Sequence, residues 1–331
     1  MGPDERHLRK RLRGAGFGTR SINAAWPQWW TDAAEQSASA RAELRFILAR
    51  ALGLDPRALI DGDQVKFIAT VGPKFKGLSA ADSAERQAII SFGQSIATLL
   101  GSSTPAPVSP RISALRLRSF MLEHDIIPNF QSIVAICWQL GIPVAYLSVT
   151  PLQAKRMHAM AARHGERGVI LVAVNDSLYA KAAFTVAHEL GHIMLGHLDT
   201  EPAFLDLDDP LSGADNQPEE DEANGYALEL LTGSPQPVIT TNEDDYSPGQ
   251  LAQAARRAGS AESVDPATIA LCDGFRSGDW GRSIAACQMI QGRRADVAAE
   301  ANAYAAEQLD FDELGDDSNT YLRRVLGLAD G

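Results

Sequence analysis

The sequence predicts an α+β fold that is mostly helical, and three features of it predict that class. Ala- and Leu-rich stretches at helical spacing fill both ends of the chain. Two short apolar runs, 142–149 and 168–174, read as strands near its middle. Two further helical patterns follow those runs, each carrying polar residues that an ordinary helix would leave in solvent. The expected architecture is a small sheet with two accompanying helices, flanked by N- and C-terminal helical regions. With 331 residues, 45% of them hydrophobic, the chain can bury sizeable cores.

Along the chain, residues 1–100 form the N-terminal helical region, with helical spacing clearest in Ala40–Leu52 and Ala80–Leu100. Asp55-Pro56 and Asp61-Gly62 punctuate it as turns or helix starts. Residues 101–110 hold three prolines and three serines and read as a linker. Residues 111–235 contain a helix at Gln131–Leu140 stopped by Gly141, then the strand Ile142–Val149. A helical pattern over Leu152–Arg163 and the strand Gly168–Val174 come next. Helix Ala180–Leu195, an acidic proline-containing loop and helix Glu219–Leu231, with Pro218 near its first turn, complete that region. From 236 to 331 the pattern is helical, broken by glycines, with no strong strand.

The formal net charge is −12, and eleven carboxylates between His197 and Thr232 supply nearly all of it. That balance argues against a general nucleic-acid or anionic-membrane coat. No apolar run reaches the roughly 18–20 residues of a membrane span, and the basic N-terminus has no apolar core behind it. Three cysteines, Cys137, Cys272 and Cys287, are an odd number without paired spacing, so no disulfide framework is expected. The expectation is a soluble cytoplasmic protein without membrane partners.

The chemistry concentrates in Phe184-Thr-Val-Ala-His188-Glu189-Leu-Gly-His192. On a helix, residues four apart project from one face a turn apart, so His188 and His192 can bind one metal ion. Glu189, beside the ion rather than on it, can take a proton from water and pass it to a leaving amine. The flanks Phe184, Val186, Ala187, Leu190, Ile193 and Leu195 are apolar. Two unpaired histidines on a buried helix would be costly to desolvate, which weighs against an incidental match.

A third histidine in the extended form of this motif would stand at 198, which is leucine, and no histidine follows His197. A downstream ligand is therefore a carboxylate, giving a His₂Glu set. On the helix Glu219–Leu231, Glu220 starts the face continued by Ala223, Asn224, Ala227 and Leu231. Glu220 is the favoured ligand, with Glu222 and Glu219 as alternatives, and Asn224 is placed to hydrogen-bond a ligating side chain. The same glutamates also suit a helix N-terminus on electrostatic grounds alone.

At these residues the sequence resembles the ImmA/IrrE family of metallo-endopeptidases. The resemblance runs through Gly141-Ile-Pro-Val-Ala-Tyr146, Gly168–Val172, the His188-Glu189-x-x-His192 stretch and Glu220-x-x-Ala-Asn-x-Tyr-Ala-x-x-Leu-Leu231. It implies a minimal zincin-like domain, with His188, His192 and Glu220 as metal ligands and Glu189 as the catalytic base. It also implies Zn²⁺ as cofactor, although such ligands accept Mn²⁺ or another divalent ion. The implied substrate is a helix-turn-helix transcriptional repressor of a stress regulon or mobile element. Thr232-Gly-Ser-Pro235 departs from the family's usual continuation, and the acidic insert is long.

Residues 41–60 weakly resemble the last helices of a helix-turn-helix domain, and Arg6, Arg9, Lys10, Arg11 and Arg13 could touch phosphates. Direct nucleic-acid binding is not the favoured reading, since such a cluster is ordinarily a solvated face. Trp26, Trp29 and Trp30 read as a core or interdomain anchor. His158 and His164 are weaker candidates for oxyanion stabilisation. Strand Gly168–Val174 is expected to pair with extended substrate. The rival function is a non-catalytic regulatory protein that binds a repressor or DNA and holds a structural metal; the presence of Glu189 argues against it.

Overall fold

A computed structural model describes residues 1–61, 64–68, 80–152, 157–200, 203–206, 218–239 and 245–328. Gly62 and most of the acidic loop lie outside the described residues. The N-terminal helices are α1 (Pro3–Gly14), α2 (Thr19–Ala25), α3 (Ala38–Leu52), α4 (Pro56–Asp61) and α5 (Ala80–Ser102). After α6 (Ala114–Glu123) and α7 (Phe130–Gln139) come strands β1 (Val144–Tyr146), β2 (Ala159–His164) and β3 (Arg167–Val172). Helix α8 (Tyr179–Leu195), strand β4 (Ala203–Asp206) and helix α9 (Pro218–Thr232) follow. The chain continues through α10 (Pro248–Glu262), α11 (Pro266–Ser277), α12 (Trp280–Gln291), α13 (Val297–Gln308) and α14 (Asp316–Leu326). The fold is α+β and mostly helical, as the periodicities predict.

Local chemistry starts the helices. Asn129 and Ser132 exchange side-chain and backbone hydrogen bonds at the start of α7, and Ser247 and Gln250 do the same for α10. Asp265, Asp279 and Asp296 each accept from a backbone amide in the first turn of α11, α12 and α13.

The sheet has the order β1-β3-β2-β4. Strand β3 runs parallel to β1 and antiparallel to β2, and β4 runs antiparallel to β2. Helices cover both faces. A methyl group added at Gly93 of α5 would collide with Met160 and one at Gly168 of β3 with Ile193 of α8, so the two helices press on opposite sides. Met160 and Leu171 face α5, while Ala159, Ala161, Gly168 and Ile170 face α8, as the period of two requires. Burial on both faces explains the unbroken apolar run Val169–Val172.

Two expectations are corrected here. Residues 159–164, within the predicted helical pattern 152–163, form β2. Ala and Met favour a helix locally, but the ladders to β3 and β4 outweigh that preference. Strand Gly168–Val174, expected to pair with substrate, is β3. It lies inside the sheet between β1 and β2, so it has no free edge. Strand β4 was missed altogether, being four residues inside the acidic loop.

Along β1, the Asn302 side chain of α13 accepts from the Tyr146 amide (2.9 Å) and donates to the Tyr146 carbonyl (2.7 Å). It also donates to the Leu326 carbonyl at 2.7 Å, so one buried amide closes this edge and ties in α14. At the other end of the sheet β4, paired to β2, is the outer strand.

The segment expected as a linker begins inside α5, and the rest is tied to the sheet. Ser103 and Thr104 bond back to α5 carbonyls, and Arg167 donates to the carbonyls of Thr104, Ala106 and Gly141. The Arg9 guanidinium lies 3.8 Å over the Trp26 ring, and Trp29 donates to Asp317 of α14 at 3.4 Å. Buried apolar residues from the N-terminal helices, the sheet and the C-terminal helices form one continuous cluster. All three cysteines are buried and free.

Asn302→Ala removes three hydrogen bonds from buried backbone groups. Each group left without a partner costs about 1–3 kcal/mol. A clear fall in the denaturant midpoint is expected, in a variant that retains helical circular dichroism.

Candidate metal centre

The site is built where α8 crosses α9 beneath β2. Helix α8 carries His188, Glu189 and His192, all fully buried. The crossing is close because Gly191 meets α9 with no side chain; a methyl group there would stand 3.1 Å from the Ala223 backbone. Three acidic residues in the first turn of α9 suit the positive end of its dipole. At its other end, Arg118 donates to the carbonyls of Leu230 (3.2 Å) and Leu231 (2.9 Å). Both ends of α9 are thereby satisfied, which fixes the position of Glu220.

Hydrogen bonds around the two imidazoles fix their tautomers. His188 Nδ1 lies 3.0 Å from the Asn224 amide oxygen, an acceptor, so Nδ1 carries the hydrogen and Nε2 is bare. The carboxylate of Glu222 lies 3.0 Å from His197 Nε2, so in neutral His197 that nitrogen donates and Nδ1 accepts. His192 Nδ1, 2.9 Å from His197 Nδ1, is then the donor of that pair, and His192 Nε2 is bare as well. The two bare nitrogens face each other at 3.0 Å.

Carboxylates close on the same point. Glu220 Oε2 lies 3.2 Å from His188 Nε2, and Oε1 lies 3.7 Å from His192 Nε2. Asp206 Oδ2 lies 3.2 Å from His188 Nε2 and has no hydrogen-bond partner. The donor atoms of His188, His192, Asp206 and Glu220 all fall within 4.8 Å of one another. Bonds of 2.0–2.1 Å arranged tetrahedrally about one ion would place donors about 3.3 Å apart, close to the separations found. Lone pairs converging this tightly in a buried pocket need a cation between them, so nitrogen and oxygen donors fit a divalent metal.

Those tautomers describe the neutral rings. Burial lowers the pKa of His188, but before a cation binds the carboxylates of Asp206 and Glu220 outweigh it and favour a protonated ring, lifting the group to about 9. A metal ion would take the place of that proton on Nε2. His192 is lowered, chiefly by burial. Glu220 would be raised by burial, yet the hydrogen bonds and charges of both imidazoles hold it well below the usual carboxylate range. Glu189 is raised well above its ordinary value, first by burial and then by the charges of Asp206 and Glu220. Among the described residues neither of its oxygens has a hydrogen-bond partner.

Among the expected site residues, His188, Glu189, His192 and Glu220 come together, and Asn224 supports His188. Glu222, an alternative ligand on sequence grounds, is turned to His197 and its side chain is largely exposed. His158 points to Thr185 Oγ1 at 3.3 Å, and His164 lies on the α5 side, 3.5 Å from Ser102 Oγ. Neither belongs to the donor group. Sequence reasoning missed His197 and Asp206. The left-handed Gly196 that ends α8 (φ 85°) turns His197 back toward His192, and Asp206 lies on the unforeseen strand.

Two substitutions test the tautomer locks. Asn224→Ala and His197→Ala are each expected to weaken metal binding by about 10–100-fold, read by chelator competition. Gly191→Ala should force α8 and α9 apart by a few tenths of an ångström and lower both the melting temperature and metal affinity.

Among known proteins, a family model for the IrrE N-terminal-like domain, Peptidase M78, matches residues 137–253. That stretch runs from the end of α7 into α10 and contains the sheet, α8 and α9. No curated protein matches the chain at a significant level. The donor geometry and the family match coincide on the same residues: the stretch similar to the IrrE N-terminal-like domain of Peptidase M78 holds His188, Glu189, His192, Asp206 and Glu220.

Proposed function

We propose that the protein is a zinc-dependent endopeptidase that hydrolyses a peptide bond in a specific cytoplasmic protein, a helix-turn-helix transcriptional repressor. The observation that carries this reading is a buried carboxylate, Glu189, without a hydrogen-bond partner, beside two bare imidazole nitrogens and Glu220. A site that only holds metal has no need of such a carboxylate. The family match supports a peptidase acting on protein; the choice of zinc rests on the two imidazoles and carboxylate. The repressor is proposed from the sequence resemblance, and no helix among the described residues is long and apolar enough to cross a membrane.

In this mechanism His188, His192 and Glu220 would hold the ion, and Asn224 and His197 would keep the remaining ring hydrogens on Nδ1 so that Nε2 is the ligating atom. When bound, zinc polarises the scissile carbonyl and acidifies water. Glu189 takes a proton from the attacking water as its oxygen bonds to the carbonyl carbon. The carbon–nitrogen bond then breaks, and Glu189 delivers that proton to the departing nitrogen. Its raised pKa suits a group that must hold a proton between those two steps. Phe184, 6.3 Å from the His188 ring, helps exclude bulk water.

A second reading, a regulatory protein with a structural metal, is favoured by one specific observation: Asp206 supplies a fourth donor, and four-donor zinc sites are typically structural. Glu189→Gln separates the two. The variant should retain one equivalent of metal by elemental analysis and lose peptide-bond cleavage of a helix-turn-helix repressor substrate by about 10²-fold or more. Cleavage at the wild-type rate in that variant would rule out the peptidase mechanism.

A further inference from the structure

We propose that Asp206 is a resident fourth ligand, carried on the short outer strand β4, so that the enzyme is latent as folded. The proposal rests on the metallopeptidase reading and concerns what closes that site.

Three observations converge. The Asp206 carboxylate is buried, lies 3.2 Å from His188 Nε2 and has an oxygen without a hydrogen-bond partner. Its donor oxygen falls within 4.8 Å of the donor atoms of His188, His192 and Glu220. A carboxylate there would occupy a position on the ion that attacking water needs. A hydrolytic zinc site keeps that coordination position open, whereas a fourth carboxylate closes it.

The backbone carrying Asp206 is the second observation. Ala203, Phe204, Leu205 and Asp206 pair antiparallel with Ala162, Ala161, Met160 and Ala159. The His158 amide extends that ladder by donating to the Asp206 carbonyl at 2.7 Å. The register puts Phe204 and Asp206 on the α8 face of the sheet, so Phe204 stacks on His192 while Asp206 reaches His188. Small side chains at Ala159 and Ala161 leave room for both.

The third observation is the topology. β3 is internal and the Asn302 amide seals the β1 edge, so β4, paired to β2, is the sheet's other outer strand. Its first three residues are only partly buried. A strand of four residues has a short ladder to lose, whereas Asn302 is fixed by a whole helix. Departure of β4 from β2 would withdraw Asp206 with it and open the coordination position.

The test uses the full chain loaded with Co²⁺, whose visible spectrum reports coordination, and acetohydroxamate as a probe of the open position. Wild type is expected to resist acetohydroxamate. Asp206→Ala and Asp206→Asn should bind it at least about tenfold more tightly, shift the cobalt spectrum and lose about tenfold or more in metal affinity. Asp206→Asn keeps the size of the side chain and the backbone ladder, so it decides the matter if the alanine variant misfolds. Unchanged spectrum, metal affinity and acetohydroxamate binding in the folded variants would overturn the proposal. The underlying reading fails differently: wild type would take up no equimolar Co²⁺, or its uptake would be indifferent to His188→Ala. Stoichiometric, His188-dependent Co²⁺ that ignores Asp206 would overturn the fourth ligand alone.

Discussion

The structure turns on one electrostatic constraint. Two imidazole Nε2 atoms, each on a ring whose Nδ1 is hydrogen-bonded on the far side, face each other at 3.0 Å among buried side chains. Carboxylates from two other elements close on the same point. Such an arrangement is repulsive unless positive charge sits within it. The folded chain therefore carries a standing demand for a cation, and folding and metal binding are thermodynamically coupled.

Much of the surrounding architecture serves that convergence. The bare backbone at Gly191 lets α9 come close enough for Glu220 to reach the imidazoles. Arg118 anchors the far end of α9, and Tyr226 donates to the Ile112 carbonyl at 3.0 Å. Elements outside the matched segment take part as well. Helix α5 covers the second face of the sheet and α13 seals the β1 edge, so the catalytic fold is completed by chain on both sides of residues 137–253.

The same geometry bears on what holds Asp206 in place. One edge of the sheet is sealed by Asn302, and at the other end β4 is the outer strand, paired to β2 over four residues. The carboxylate's position beside the imidazoles therefore depends on a short ladder rather than on a packed helix.

The sequence by itself determined the mostly helical α+β class, the helix presenting His188, Glu189 and His192, and the helix bringing Glu220 and Asn224. Those features are periodic and local: spacing along a helix fixes which side chains share a face, whatever the rest of the chain does. Only the tertiary structure decided three other things. The Ala- and Met-rich stretch 159–164 became a strand because two ladders overrode its helical preference. Glu222 went to His197 rather than to the ion's position, because the turn after Gly196 set that imidazole in its path. Asp206, one of eleven carboxylates in an acidic stretch, is singled out by a four-residue strand whose pairing register aims it at His188. Contacts between distant segments made those choices, and no local pattern encodes them.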